Sequence, residues 1–198
     1  METQKLGDDE RNQVVRLVRD SIAASVRHEE APTREAIEAV CQRWPLLDQP
    51  AGAFVTVYVK GQLRGCLGEI LPEDPYAVVA ARCGRRTPRD DYRFDPVQPE
   101  ELPELTFKVS RLTPPEPVSD PDQIQVGEDG LIVRQGRRIG LLLPEVPVEH
   151  GWDRATFLKQ LWRKAGLEPG TPIEQVELEK FGTEIMEGRV GREEDREI

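Results

Sequence analysis

The sequence predicts an α+β fold with a mainly antiparallel sheet and flanking helices. Two observations lead to this prediction. Helical periodicity occurs near the start of the chain and again around residue 155, and between these regions lie alternating, β-branched segments separated by turn residues. Strands that follow one another through short turns pair antiparallel, and helices then cover a face of the sheet. With 198 residues, the chain is expected to form one main domain.

Three amphipathic helices are predicted from apolar side chains that recur about every 3.6 residues. They cover residues 10–27, 32–44 and 151–166. Thr33 and Asp153 stand just before the apolar stripes of the second and third, where a side-chain oxygen can accept a hydrogen bond from the first free backbone N–H groups. Both residues are therefore predicted to be helix caps.

The segment AFVTVYVKGQLRGCLGEI (53–70) is predicted to form an antiparallel hairpin. It is rich in β-branched and aromatic residues on its first half, and Lys60 and Gly61 provide a two-residue turn. A helix is predicted after the hairpin, with Asp74 as its cap and Gly84 permitting the chain to leave it.

The second half of the chain is predicted to contain mostly strands and loops. Residues 105–112 alternate as a strand would, and 113–123 form a proline-rich loop, because prolines lack the N–H groups of a ladder. A meander of short strands is expected over 124–146, and a last strand over 176–186. Residues 187–198 are charged and poor in apolar side chains, which predicts a flexible tail.

The composition disfavours several classes of function. The formal net charge of −10 opposes broad binding to nucleic acids or anionic lipids, which are polyanions. No apolar run approaches the roughly 20 residues of a membrane helix, and the N-terminus is polar, so we predict a cytoplasmic protein without a membrane partner. Five arginines between Arg82 and Arg93 form a candidate basic face, for which a solvated helix end and loop is the favoured interpretation.

The cysteines and histidines lack the spacing of a metal site. Cys41, Cys66 and Cys83 are separated by 25 and 17 residues, and His28 and His150 are isolated. Structural zinc sites use closely spaced pairs of ligands, so we assign no metal. Without a signal peptide the cysteines are predicted to be reduced thiols. The sequence also lacks the glycine loops that bind dinucleotides or phosphates, and its cofactor is left unassigned.

The segment LRGCLG (63–68) contains the candidate catalytic residues, Arg64 and Cys66. Residues two apart in a strand share a face, so the guanidinium of Arg64 could lie beside the sulfur of Cys66 and stabilise a thiolate. A structural role for Cys66 is favoured on the residues alone, because free cysteine is commonly buried and no partner base can be assigned.

Three neighbouring residues, Gly65, Gly68 and Glu69, form a candidate binding site. Glycines inside a strand mark either a bulge or the close approach of another backbone or a ligand, and both interpretations stay open. No second carboxylate can be paired with Glu69 by spacing, so an acid/base pair is not assigned.

Several segments together resemble the AMME chromosomal region candidate (AMMECR-type) protein family, whose prokaryotic members are called protein A of the AmmeMemoRadiSam system. The resemblance covers residues 10–186, which we identify as a single AMMECR-type domain followed by the tail at 187–198. The segments that carry it are GAFVTVYVKGQLRGCLG (52–68), DYRFDPVQPEEL (91–102), VSRLTPPEP (109–117), VGEDGLIV (126–133), GLLLPEV (140–146), GWDRATFL (151–158) and KAGL (164–167).

The resemblance implies a larger α+β portion and a smaller subdomain, with the LRGCLG segment near a cleft between them. It also implies partners, namely a Memo-like protein and a radical SAM protein, in a modification pathway whose substrate is unknown. Many relatives have a cysteine where this chain has Trp162. A mechanism that needs this second thiol is therefore not expected here.

Two hypotheses follow, with a third that is least favoured. The protein is an enzyme or a substrate-handling component, with Cys66 as nucleophile or acceptor, Arg64 stabilising thiolate or binding an anionic substrate, and Gly65 and Gly68 leaving room for it. Alternatively it is a non-catalytic adaptor for protein partners in which LRGCLG is structural. RNA binding through the segment Arg82 to Arg93 is least favoured because of the net charge.

Overall fold

The computed structural model describes residues 5–70 and 72–191. They form two compact units, each containing a four-stranded sheet. Of the described residues, those up to Arg111 and those from Glu184 to 191 form the first unit, and Leu112–Thr183 form the second. The architecture is α+β, as the sequence predicts.

In its described residues, the first unit contains four α-helices and a 3-10 helix. Thr33 accepts a hydrogen bond from the backbone N–H of Ala36 at 3.3 Å, which confirms its predicted role as a helix cap. The helices are α1 (Asp8–Arg27), α2 (Arg34–Arg43), α3 (Pro45–Asp48) and α4 (Tyr76–Asp90), and the 3-10 helix is Pro99–Glu104.

The sheet of the first unit has the strand order β2-β1-β3-β8. Its strands are β1 (Ala53–Val59), β2 (Gln62–Glu69), β3 (Leu105–Leu112) and β8 (Thr183–Arg189). Side chains alternate along β1 between buried and half-buried, as expected for a strand with one face on the core. The buried face belongs to the same apolar cluster as α1 and α4 and contains Val55, Val57 and Phe107.

The second unit is built around a sheet with the strand order β4-β7-β5-β6. These strands are β4 (Glu116–Pro117), β5 (Gly130–Gln135), β6 (Arg138–Leu142) and β7 (Glu177–Phe181). Two α-helices accompany them, α5 (Glu145–Glu149) and α6 (Arg154–Lys164). Asp153 caps α6 by accepting from the N–H of Thr156 at 2.8 Å, as predicted, and Phe157 and Leu161 of α6 are fully buried in the core of this unit.

The structure corrects the predicted bounds of α4. The helix begins after Pro75, makes no side-chain cap with Asp74, and continues through Gly84 to Asp90. Gly84 is a packing position, because a Cβ there would lie 3.1 Å from Cγ1 and 3.2 Å from the carbonyl oxygen of Val18 in α1. A glycine in a helical pattern can thus mark a close helix–helix contact as well as a helix end.

The last predicted strand is two strands that belong to different sheets. Gly182 separates β7 from β8, and its N–H donates to Oγ1 of Thr113 at 2.8 Å. β8 continues to Arg189, so regular structure extends into the segment that was predicted to be a tail. Residues 192–198 of that tail lie outside the described residues.

The loop and the meander also differ in detail from their predictions. The proline-rich loop contains the two-residue strand β4 and a short 3-10 helix, Pro121–Gln123. Residues 124–126, predicted as the first strand of the meander, are not in a strand, although Ile124 is fully buried. Among the described residues, no helix is both long and apolar enough to cross a bilayer.

Candidate functional site at Cys66

The hairpin of β1 and β2 is closed by a two-residue turn at Lys60 and Gly61, which both have positive φ, 52° and 77°. This is the pattern of a type I′ turn, whose twist matches that of the two strands. Regular pairing counted from this turn would place Gly65 opposite Thr56. In the structure Thr56 is opposite Cys66 instead.

A β-bulge causes this change of register. The shift occurs between Val57, which is opposite Gly65, and Tyr58, which is opposite Leu63. Arg64 is therefore the extra residue in β2. The bulge interrupts the alternation between Leu63 and Gly65, because Leu63 is exposed whereas Gly65 is buried. Arg64 and Cys66 are both half-buried, and their shared face stays a prediction.

The side chain of Arg64 is engaged by the 3-10 helix and the segment before it. Its guanidinium forms an ion pair with Glu101 and donates to the carbonyl oxygen of Asp95 at 3.2 Å. Burial acts to raise the pKa of Glu101, but the N–H of Gln98 and the guanidinium of Arg64 outweigh burial and lower the pKa. A concavity of about 470 Å³ at this end of the hairpin is lined by Arg64 and Glu101, and its lining does not include Cys66.

The thiol of Cys66 lies on the face of the sheet opposite the buried Val57 and Gly65. Thr56 and Cys66 face each other across the hairpin, and Oγ1 of Thr56 donates to Sγ of Cys66 at 3.2 Å. A donor at this distance stabilises a thiolate more than a neutral thiol. The pair therefore has one of the features of a reactive cysteine.

The backbone of Cys66 is held by two side chains at the free edge of β2. Its N–H donates to Oδ2 of Asp91 at 2.9 Å, and Nη2 of Arg93 donates to its carbonyl oxygen at 3.3 Å. β2 is an edge strand of its sheet, so these two side chains occupy hydrogen-bonding groups that a neighbouring strand would otherwise use. Both hydrogen bonds fix the backbone of Cys66, and neither uses its thiol.

Asp91 and Arg93 also form an ion pair with each other. Nε and Nη2 of Arg93 donate to the Asp91 carboxylate at 2.8 and 2.7 Å. These hydrogen bonds, helped by the N–H of Cys66, lower the pKa of Asp91 to about 2 although burial opposes them. Asp91 is almost completely buried at the C-terminal end of α4, whereas Arg93 is half-exposed. Thus α4 positions the anion that anchors Cys66.

The two other thiols are buried in the first unit. Sγ of Cys41 donates to the carbonyl oxygen of Leu47 at 3.6 Å, and Sγ of Cys83 donates to that of Ala53 at 3.7 Å. Burial raises the pKa of both thiols, that of Cys83 to about 12. Cys66 is the most accessible of the three cysteines, which are all free thiols. Within residues 5–70 and 72–191, no group of three or more acidic, histidine or cysteine side chains is arranged to hold a metal ion.

Comparison with known proteins gives a family for this arrangement. The AMMECR1 family model matches residues 15–186. The chain belongs to the AMMECR1 family. A protein of Thermococcus gammatolerans is 42% identical over 185 residues, which are 88% of each chain, and protein TK0174 of Thermococcus kodakarensis has the same identity and coverage.

A solved structure resembles this AMMECR1 protein over most of its length. It is the crystal structure of the uncharacterized protein PH0010 from Pyrococcus horikoshii, which has a TM-score of 0.79 and 37% sequence identity. The match covers 93% of this chain and 94% of that chain. The α+β fold is therefore one that has been observed by crystallography in a relative.

Two glycines of the LRGCLG segment are packed against protein atoms. A Cβ added to Gly65 would lie 2.6 Å from the carbonyl oxygen of Thr87 in α4. A Cβ added to Gly68 would lie 2.4 Å from the ring of Phe54. At both glycines, helix or ring atoms already occupy the space that a side chain would take.

Glu69, the third predicted binding residue, is held by Arg82. Nε and Nη2 of Arg82 donate to the two carboxylate oxygens at 2.8 and 2.7 Å, and Nη1 donates to Asp74 at 2.7 Å. This bidentate contact lowers the pKa of Glu69. Glu69 and Arg82 link β2 to α4. None of these three hydrogen bonds involves Cys66.

Most of the predicted basic face is used within the chain. Arg82 and Arg93 pair with the carboxylates described above, Arg86 contacts Asp90 at 3.4 Å, and Arg89 donates to the carbonyl oxygen of Ser25 at 3.3 Å. Arg85 is exposed on α4. The segment is thus largely a helix surface whose arginines form local contacts, which agrees with the interpretation favoured from the sequence.

Reasoning from the motif alone missed Thr56, Asp91 and Arg93. Thr56 could not be found by counting, because the bulge decides its partner. The sequence did offer a signal for Asp91 and Arg93, because both lie in DYRFDPVQPEEL, one of the segments that carry the family resemblance. Trp162 is buried in the second unit and donates from Nε1 to the carbonyl oxygen of Thr171 at 2.9 Å.

Proposed function

We propose that this AMMECR1-family protein is a substrate-handling component of a modification pathway, and that the thiol of Cys66 binds or accepts the substrate. One observation carries the proposal. Cys66 is the most accessible of the three thiols, and a hydroxyl donor contacts its sulfur while its backbone is anchored on both sides. Reactive cysteines need both access and stabilisation of the thiolate.

The proposed chemistry assigns separate roles to the neighbours of Cys66. The thiol loses its proton to solvent, and the Thr56 hydroxyl stabilises the thiolate. The sulfur then donates an electron pair to an electrophilic carbon, and the leaving group departs with the pair from the bond that breaks. Arg93 and Asp91 are positioning residues, because they hold the Cys66 backbone. Arg64 positions the bulge through Glu101.

The pathway and partners in this proposal come from the family resemblance. A Memo-like protein and a radical SAM protein are the proposed partners, and the substrate is passed among them. We place the protein in the cytoplasm, and its three free thiols support a reducing compartment.

The second candidate function is a non-catalytic adaptor for protein partners. A specific observation favours it, namely that the conspicuous motif residues have structural partners within the chain. Gly65 and Gly68 are covered by Thr87 and Phe54, and the charges of Arg64 and Glu69 are taken by Glu101 and Arg82. In this function the motif builds a rigid hairpin, and Cys66 does not react.

The reactivity of Cys66 separates these functions. The test measures the alkylation rate of native protein against pH in a Cys41→Ala, Cys83→Ala background, which leaves Cys66 as the only thiol. A thiolate stabilised by Thr56 should react several-fold faster than the same protein with Thr56→Val. The matched control is Thr106→Val, which removes an exposed hydroxyl from the neighbouring strand β3.

The substrate-handling function predicts a pH-dependent rate that Thr56→Val lowers and Thr106→Val leaves unchanged. Reaction of Cys66 only after unfolding would contradict this function and favour the adaptor. A native rate that is insensitive to Thr56→Val would refute the role of the hydroxyl. Unfolding curves of each variant show whether a change in rate reflects a loss of structure.

A further inference from the structure

A groove in the second unit has the properties of a small-molecule site. Its volume is about 690 Å³, and it lies between the outer face of α6 and the segment 169–174. We call it the α6 groove. All of its lining residues belong to the second unit, so the groove does not depend on the Cys66 site.

The floor of the α6 groove is apolar and held in place. Leu158 and Trp162 come from α6, and Ile173 comes from the facing segment. Leu158 and Ile173 are partly buried against the core of the unit, to which Trp162 itself belongs. The indole N–H of Trp162 donates to the carbonyl oxygen of Thr171 at 2.9 Å, which ties the segment to the helix. The apolar surface is therefore preformed.

Two exposed side chains of opposite charge line the same groove. They are Lys159 on α6 and Glu174 on the facing segment. Across the part of the chain that the structure describes, neither takes part in an ion pair. Two other cations of the second unit, Arg134 and Lys180, pair with Glu179 and Asp129. Lys159 and Glu174 are thus both available to a ligand.

We propose that the α6 groove binds a short apolar peptide with free termini. The peptide carboxylate contacts Lys159, its ammonium group contacts Glu174, and its side chains pack on Leu158, Trp162 and Ile173. The volume lies within the range of about 300–1,000 Å³ that small ligands occupy. A ligand with one charge would leave the second charged residue of the groove without a partner, whereas a zwitterion matches both.

The test titrates the protein with the dipeptide Leu-Phe and follows binding by isothermal titration calorimetry. N-acetylated and C-amidated forms of the same dipeptide each remove one charge and serve as matched ligands. The variants are Lys159→Gln and Glu174→Gln, with Lys164→Gln as the control for a cation on α6 outside the groove. These exposed positions leave the fold intact, which thermal unfolding checks.

Binding of the free dipeptide should weaken about fivefold on capping either terminus, since an exposed ion pair contributes up to about 1 kcal/mol. Lys159→Gln should abolish the effect of C-amidation, and Glu174→Gln should abolish the effect of N-acetylation. Lys164→Gln should change nothing. The proposal is overturned if the dipeptide does not bind at millimolar concentration, or if binding is the same for all capped forms and variants. Neither result bears on the reactivity of Cys66.

Discussion

Each unit contains a hairpin with a two-residue turn, and the two hairpins differ in register. The hairpin of β5 and β6 turns at Gly136 and Arg137 and pairs regularly along its whole length. The hairpin of β1 and β2 turns at Lys60 and Gly61 and contains the bulge at Arg64. A regular hairpin keeps its side chains in strict alternation, whereas the bulge changes which residue faces Thr56.

The same two hairpins share a glycine at a helix contact. Gly65 of β2 lies against the carbonyl oxygen of Thr87 in α4, and Gly140 of β6 lies against Ala165 and the carbonyl oxygen of Leu161 at α6. Gly140 has this role without a cysteine motif around it. The comparison indicates that Gly65 serves helix packing, and that the distinctive feature of the LRGCLG hairpin is the bulge that brings Cys66 to Thr56.

Substitution of these two glycines should destabilise the protein more than any other change considered below. Gly65→Ala should lower the free energy of unfolding by about 3 kcal/mol, and Gly140→Ala by about 2 kcal/mol, because the new methyl group overlaps helix atoms at 2.6 and 2.9 Å. Denaturant unfolding measures both values. Gly182→Ala is the control, since its Cβ would meet Thr113 at an ordinary 3.5 Å. If Gly65→Ala proved as stable as Gly182→Ala, α4 would not approach β2 as described.

The next prediction concerns the anchor at the edge of β2, where Asp91 and Arg93 hold the backbone of Cys66. Asp91→Asn should lower the free energy of unfolding by about 2 kcal/mol at pH 7, because the pKa of Asp91 is lowered to about 2 in the folded protein. A carboxyl whose pKa is lowered by folding stabilises the folded protein at pH values above its ordinary pKa of about 4. This stabilisation is lost as the pH falls towards 2.

Urea unfolding at several pH values tests this prediction. The difference between the wild type and Asp91→Asn should fall to about half by pH 3. Asp90→Asn is the neighbouring control, because the Asp90 side chain is 53% exposed and its contact with Arg86 is at the surface. A difference that stays constant from pH 7 to pH 3 would contradict the assignment to the Asp91 carboxylate.

The smallest effect compares ion pairs of equal exposure in the two hairpins. Arg64 with Glu101 and Arg134 with Glu179 are each about one quarter exposed, so double-mutant cycles with glutamine should give about 1 kcal/mol of coupling for each pair. The exposed pair of Lys108 and Glu187 should give a coupling near zero. If Arg134 and Glu179 were coupled but Arg64 and Glu101 were not, Glu101 would not hold the bulge in place.

Much of the fold was predictable because it depends on local patterns. The caps Thr33 and Asp153, the turn at Lys60 and Gly61 and the strand 105–112 follow from short segments, and the structure confirms them. The end of α4 was not predictable, because Gly84 is also a typical helix terminator. Only its contact with Val18, 66 positions away along the chain, shows that the helix continues.

The candidate site was likewise predictable only in those features that depend on local patterns. Local patterns alone predict that Cys66 lies in a hairpin strand and that this hairpin belongs to an α+β domain, and the segments around it resemble one family. The packing of the folded chain places Thr56 opposite the thiol, Arg93 on the backbone of Cys66, Arg64 on Glu101, and helix and ring atoms against Gly65 and Gly68. The physical reason is that alternation and turn preference are local, whereas a bulge, an edge contact and helix packing depend on residues brought together by the fold.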